Sequence, residues 1–253
     1  MSMDIVQTFY DNMASEYDKL FSDWEASSGE QGLMLHTLFV SEGFDKSAGI
    51  LDCACGIGTQ SISLAKHGYN VTASDVSEGE LKRARDRAEK DNVNIAFACA
   101  DFRNLADIFD TKFDIIIAMD NALPHMLTEA DLEKALGSIT DRLLQGGIFV
   151  ASIRDYDELL FVQPVYSPPY IHKTDNGQRV CFQTWEWKEE NYKLTQYIID
   201  DGDTLQISKY DCEYRATRRS EITKMLKDKG CSKVEWLFPK DTGFYQPIVV
   251  ARK

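Results

Sequence analysis

The sequence predicts an α/β fold. It has a mostly parallel sheet of seven strands with helices on both faces, an inserted antiparallel β layer, and a helical segment ahead of the first strand. Three observations predict it. Residues 49–75 read as strand, glycine turn, helix, strand and acid in direct succession. Strand and helix patterns then keep alternating to residue 153, as a parallel sheet built from crossovers requires. Beyond Pro164, Pro168 and Pro169 the pattern changes to strands split by short polar turns, which signals an antiparallel meander.

Each element has its own signal. Residues 3–21 predict one helix carrying Phe9, Tyr10, Tyr17 and Phe21, and 22–29 a loop or helix restart. Residues 30–42 place Leu35, Leu38 and Phe39 at helical spacing. Residues 50–54 form a short buried strand, Cys55 to Gly58 a tight turn, and 59–67 a helix with Ile62, Leu64 and Ala65 apolar. Gly68 breaks that helix, and 71–75 is a strand ending in Asp75. Ser77 with Glu80 three residues on gives a capping-box pattern for a helix with Leu81, Ala84 and Ala88 inward. Residues 95–100 are a third strand, and 113–119 an apolar strand buried on both faces. Leu132, Ala135, Leu136, Ile139 and Leu143 mark an amphipathic helix that Gly146-Gly147 is expected to stop. Residues 148–153 give a fifth strand. The insert offers strands at 180–187, 192–200 and 204–210. A last helix at 220–229 and strands at 233–238 and 247–251 close the sheet. The units expected are a cap, 1–45, a core, 46–154 with 211–253, and a lid, 155–210.

Composition narrows the partners. The net charge of −13 over 253 residues argues against nucleic acid, which needs a basic face, and against an anionic membrane surface. No apolar run reaches the roughly 18 residues of a membrane span, and no signal peptide is evident, so a cytoplasmic protein is expected. The six cysteines lack metal-ligand spacing, and no metal is expected. A small-molecule partner fits best, and a homo-oligomer is compatible with this reading.

The candidate site lies where parallel strands end, since ligands bind outside their carboxyl ends. Asp52 to Gly58, Asp75, Asp101-Phe102, Met119 to His125, and Arg154 stand there. Only Gly56 and Gly58 occupy the first turn, with Ser61 where a dinucleotide fingerprint has its third glycine. Asp52-Cys53-Ala54-Cys55-Gly56-Ile57-Gly58 resembles the first motif of class I S-adenosylmethionine-dependent methyltransferases. The resemblance implies that fold, with its Rossmann-like sheet, and S-adenosyl-L-methionine as cofactor, leaving S-adenosyl-L-homocysteine. On that reading Asp75, with Val76 beside it, accepts from the ribose hydroxyls. The Ala54 to Gly58 backbone approaches the methionyl part. Phe102 covers the adenine, and the Met119 backbone receives the cofactor's ammonium. Asp101 accepts from the adenine amino group, caps the segment that starts at Arg103, or does both.

Three stretches narrow the resemblance. Leu51 to Gly58, Asp120-Asn121-Ala122-Leu123-Pro124-His125 and Arg154-Asp155-Tyr156-Asp157 are similar to the glycine and glycine/sarcosine N-methyltransferases, as is Asp23-Trp24-Glu25 with Gly32 after it. That family implies the following roles. Arg154 holds a substrate carboxylate, and Asn121 faces the substrate amine. His125 and Tyr245 line the substrate side. Tyr17 covers the cofactor, with Tyr10 nearer the substrate. The chain departs from the family where Asp120 replaces a glycine, Ala122 a serine and Asp155 an asparagine, and where an arginine after Asp-Trp-Glu falls near Ser27.

Methyl transfer from a sulfonium to an amine is an in-line displacement that needs orientation and no nucleophilic side chain. The resemblance implies transfer to a small carboxylate-bearing amine such as glycine or sarcosine. His125 is either a proton acceptor or a packing residue, and Arg154 either a carboxylate clamp or a structural partner of Asp155 or Asp157. An O-methyltransferase, a non-catalytic S-adenosylmethionine-binding protein and a nicotinamide dehydrogenase are the rival readings.

Overall fold

A computed structural model describes residues 2–253. Helix α1 (Ser2–Met13) buries Val6, Phe9 and Met13 and stops there; a single 3-10 turn follows at Tyr17–Leu20. The one helix expected over 3–21 is thus two pieces. The break lets Glu16, Asp18 and Lys19 reach ion-pair and hydrogen-bond partners on other elements, which a straight helix would point into solvent. Helix α2 (Trp24–Ser41) starts earlier than its apolar spacing suggests, because Asp23 caps it by accepting the Ala26 N–H.

The core then alternates as expected. It runs β1 (Gly49–Asp52), α3 (Thr59–Lys66), β2 (Asn70–Asp75), α4 (Glu78–Lys90), β3 (Ala96–Cys99), β4 (Phe113–Ala118), α5 (Glu129–Asp141) and β5 (Leu143–Ser152). The capping box of α4 is half made. Ser77 accepts the Glu80 N–H at 3.0 Å, but the Glu80 carboxyl turns inward, buried and without a hydrogen-bond partner. Gly146-Gly147 does not stop α5, which ends at Asp141; both glycines lie inside β5. The ladder to β4 jumps there from Phe113 opposite Leu143 to Ile115 opposite Ile148, and Gly146 adopts φ +81°.

After β5 comes α6 (Tyr156–Val162), which the sequence pattern did not show. Then follow β6 (Tyr170–Thr174), β7 (Gly177–Lys188), β8 (Asn191–Asp201) and β9 (Leu205–Arg215). These four strands form one antiparallel sheet in chain order. Strand β6 directly follows the prolines, ahead of the first strand expected in the insert, and β9 runs five residues past the insert's expected end. Helix α7 (Arg219–Asp228), β10 (Lys233–Leu237) and β11 (Ile248–Arg252) complete the chain. The large sheet has the order β10-β11-β5-β4-β1-β2-β3, antiparallel only in the pairings of β11. Its central strands read ILD, FDIII and IFVAS because both faces are covered.

Helices α2 and α3 pack closely behind the first turn. Trp24 donates from Nε1 to Thr59 Oγ1 at 3.1 Å, and Ser28 donates to the Thr59 carbonyl. A Cβ at Gly32 would stand 2.0 Å from Ser63 Oγ and 2.4 Å from Ser63 Cβ. Gly32→Ala is therefore expected to destabilise the fold by about 1–3 kcal/mol through overpacking, with Ser63→Gly in the same chain recovering part of the loss. Urea unfolding checks this; an unchanged midpoint for Gly32→Ala would contradict the contact.

Candidate active site

Two cavities meet at the carboxyl end of the sheet. The deep one lies over the first turn and is lined by Ala54, Gly56, Asp75, Val76, Phe102 and Met119 of the expected cofactor residues, with Tyr17 across it. Gly56 sits at φ +52°, which lets its N–H point at Asp75 Oδ2, 2.9 Å away. Asp75 Oδ1 accepts from the Ser77 N–H at 3.0 Å. Burial pushes the Asp75 carboxyl up, while these backbone donors pull it back. The carboxylate is thus fixed by main chain and keeps lone pairs directed into the cavity. The set fits an adenosyl group, with an oriented acid for two hydroxyls beside the buried ring of Phe102. Val6, Tyr10 and Tyr17 of the N-terminal segment also line the deep cavity.

Three expected cofactor residues do not line it. Asp52 is fully buried beneath the turn, where it accepts from Ser61 Oγ at 2.6 Å. Burial pushes its pKa up to about 7, against the pull of the Ser61 and Ala54 donors. Its task is to pin the turn to α3. Gly58, at φ +89°, begins α3, and a Cβ there would meet Ile62 Cδ1 at 2.8 Å. Asp101 caps the next turn by accepting the Arg103 N–H at 2.8 Å, and it also binds the Arg103 guanidinium at 2.7 Å. The structure thus places Asp101 as a cap, and it is not among the residues lining the deep cavity.

The outer cavity, about 740 Å³, lies between the sheet end and the inserted strands. Tyr10, Tyr17 and Asp120 line both cavities and mark where they join. Arg154 enters the outer one from the end of β5. Its guanidinium donates to Tyr192 Oη at 2.7 Å and Gln183 Oε1 at 3.1 Å, and it lies over the rings of Trp185 and Tyr214 at 4.9 and 5.4 Å. All of these partners are neutral. The structural pairing with Asp155 or Asp157 is ruled out, because both carboxylates go to Arg219.

Asn121 is buried, with φ +70°. Its Oδ1 accepts from the Arg154 backbone N–H at 3.0 Å and from Tyr156 Oη at 3.1 Å. A backbone N–H can only donate, so the amide orientation is settled, and the atom left without a partner is Nδ2, a donor. Asn121 lines the outer cavity with that buried donor unpartnered. His125 is buried under Tyr214, with Nε2 2.9 Å from Tyr10 Oη. Burial pushes its pKa down to about 3, so the ring is neutral near neutral pH. Tyr245 is largely exposed, but its hydroxyl turns inward and donates to Asp120 Oδ1 at 2.8 Å. Gln60, Gln183, Trp185, Tyr192 and Tyr214 were not singled out in the sequence. Their even polar and apolar alternation shows which face is inward, not which side chain meets Arg154.

The sheet order, the turn–acid pair and the flanking cavity define a class I S-adenosylmethionine-dependent methyltransferase. A family profile described as a methyltransferase domain matches residues 50–147. A glycine/sarcosine N-methyltransferase of Parasynechococcus marenigrum is 30% identical over 217 residues, covering 84% of this chain and 73% of that protein. The chain belongs to the family of that enzyme. Among solved structures, a S-adenosylmethionine-dependent methyltransferase from Clostridium acetobutylicum superposes with a TM-score of 0.75 at 21% identity, covering 96% of this chain and 98% of that one. A SAM-bound amino pentose methyltransferase from Micromonospora echinaspora gives 0.77 at 16%, covering 89% and 91%. Among the described residues no helix is long and apolar enough to cross a membrane.

The neutral state of His125 has a pH signature. Its folded pKa lies below the ordinary 6.5, so the stability tied to it is complete above that value and shrinks as pH falls toward 3. Between about pH 7 and about pH 4.5 the protein should lose roughly 2–3 kcal/mol more than a His125→Asn variant does. Equal losses in urea titrations of the two proteins would contradict the buried neutral ring.

Proposed function

We propose that the protein transfers a methyl group to the amine of a small carboxylate-bearing acceptor, such as an amino acid. The observation that carries this is Arg154, a guanidinium in the outer cavity whose partners are all neutral. A planar fork of donors beside the unpartnered Nδ2 of Asn121 matches a carboxylate in shape and charge. A phenol or other oxygen acceptor would leave that charge without a counterion.

S-adenosylmethionine, when bound, supplies an electrophilic methyl on a sulfonium. The chain's own residues do the rest. Asp75 takes the ribose hydroxyls, Phe102 and Val76 cover the adenine, and the backbone of Ala54 to Gly56 and Met119 meets the methionyl end. Arg154 and Asn121 hold the acceptor's carboxylate and so aim its amine at the junction by Tyr10 and Tyr17. Such orientation contributes up to roughly 7–11 kcal/mol to barrier lowering. Residues 1–45 act as a cap and 155–210 as a lid that keeps water out. At about 740 Å³ the outer cavity has room for acceptors well beyond glycine.

Charge-assisted hydrogen bonds contribute about 1.5–3 kcal/mol each. Arg154→Lys, which keeps the charge but loses the fork, should therefore lower kcat/KM for amino-acid acceptors by roughly 10–100-fold. Cofactor affinity should stay within about threefold. Asp75→Ala should do the reverse, weakening cofactor binding by roughly tenfold or more. Calorimetry and a radiolabelled methyl assay check both; normal turnover by Arg154→Lys would remove the carboxylate clamp.

A further inference from the structure

Asp120 is the least expected residue at the junction. It follows β4 with φ +55°, a left-handed conformation that costs a residue with a side chain about 1–2 kcal/mol and costs glycine nothing. The family it resembles has glycine there, so the backbone alone does not call for an acid. The carboxylate is half-buried, and both of its hydrogen-bond partners are neutral. Gln60 Nε2 donates to Oδ2 and Tyr245 Oη to Oδ1, each at 2.8 Å. The two donors fix the group in the wall shared by the deep and the outer cavity. Arg154 stands in the outer cavity as well, on the neighbouring strand end, and its guanidinium also has neutral partners. One cavity thus carries a fixed anion at its inner end and a fixed cation in its wall.

We propose that Asp120 receives the acceptor's ammonium group and takes its proton as the methyl is transferred. The proposal rests on the amine-acceptor reading and names the group that this reading lacks. An amine at neutral pH arrives protonated and has no lone pair to attack with. One N–H bond breaks and its proton passes to the Asp120 carboxylate. The nitrogen lone pair then forms the bond to the methyl carbon. The carbon–sulfur bond breaks with its electron pair staying on sulfur, which leaves a neutral thioether. Burial raises the Asp120 carboxyl, with Gln60 and Tyr245 pulling against it, which brings it nearer the range of a proton acceptor. Its charge in turn pushes up the hydroxyls of Tyr17 and Tyr245 and adds to the rise at Asp52. Arg154, Asp155 and Glu158 face it across the outer cavity, and Tyr10 and His125 across the deep one. His125, neutral down to about pH 3, does not compete for the proton.

The test uses the full chain with Asp120→Asn and Asp120→Gly. Asp120→Gly suits the left-handed backbone, so its melting temperature should not fall, which separates loss of charge from loss of fold. Affinity for S-adenosylhomocysteine, measured by calorimetry, should stay within about threefold in both. For the best amine found in a methyl-transfer screen, kcat/KM near neutral pH should fall by roughly 10²-fold or more. The deficit should shrink as pH rises through the free amine's own pKa, because the amine then arrives deprotonated. Wild-type turnover by Asp120→Asn on an amine would overturn the proposal. So would a tenfold loss of S-adenosylhomocysteine affinity with no change in the pH profile, since the carboxylate would then serve the cofactor's ammonium. A wild-type protein that methylates only oxygen acceptors would overturn the amine reading itself, whatever the variants do.

Discussion

A closed ring of hydrogen bonds fixes the wall of the outer cavity. Arg154 donates to Tyr192 Oη, Tyr192 donates to Tyr156 Oη, Tyr156 donates to Asn121 Oδ1, and the same Oδ1 accepts the Arg154 backbone N–H. The last two links fix the direction of the others, because Tyr156 has one proton and spends it on Asn121. Every member is tied to a different element: the ends of β4 and β5, helix α6 and strand β8. The guanidinium therefore has one orientation, set before any acceptor arrives, which is the condition for steering a displacement. It also has a cost. A charge surrounded by aromatic rings and neutral oxygens is poorly compensated, and an anionic ligand relieves that.

The strand ends supply the matching strain. Asp120 and Asn121 are consecutive residues at φ +55° and +70°, held by Ser152, whose hydroxyl accepts the Asp120 N–H and whose carbonyl accepts the Asn121 N–H. Ser152 in turn donates to buried Gln246 at 2.8 Å, ahead of β11. The antiparallel strand β11 thus buttresses the strained corner from behind. Outlying backbone of this kind persists only where surrounding structure holds it, and here it aims one carboxylate and one amide at the same cavity.

The N-terminal segment joins the two sheets. Asp18 binds Arg83 and Arg87 of α4 at 2.7 Å, while Lys19 binds Asp200 of β8 at 2.8 Å and Tyr210 of β9 donates to Glu16. These groups are a fifth to a third exposed in most cases, so each pair contributes little, of order 0–1 kcal/mol. The glycine turn, Asp75 and the strand ends were legible in the sequence, because chain order and period place them. Asp101 was legible as a cap and as an adenine contact, and of these the structure itself places the cap, against Arg103. The second cavity was not legible. Tyr192, Gln183 and Trp185 meet Arg154 only because β7 and β8 fold back across about 30 residues of intervening chain. Nor was the break after Met13, beyond which Lys19 pairs with Asp200 on a strand some 180 residues on.

The central claim is that the acceptor carries opposite charges at its two ends. The most direct measurement is methyl transfer from radiolabelled S-adenosylmethionine to matched acceptors. Each α-amino acid is set against the amine that lacks its carboxylate and the acid that lacks its amine. The account predicts N-methylation of the amino acid, with both truncated partners reduced by at least about tenfold in kcat/KM. Equal turnover of an amine lacking any anionic group would contradict it.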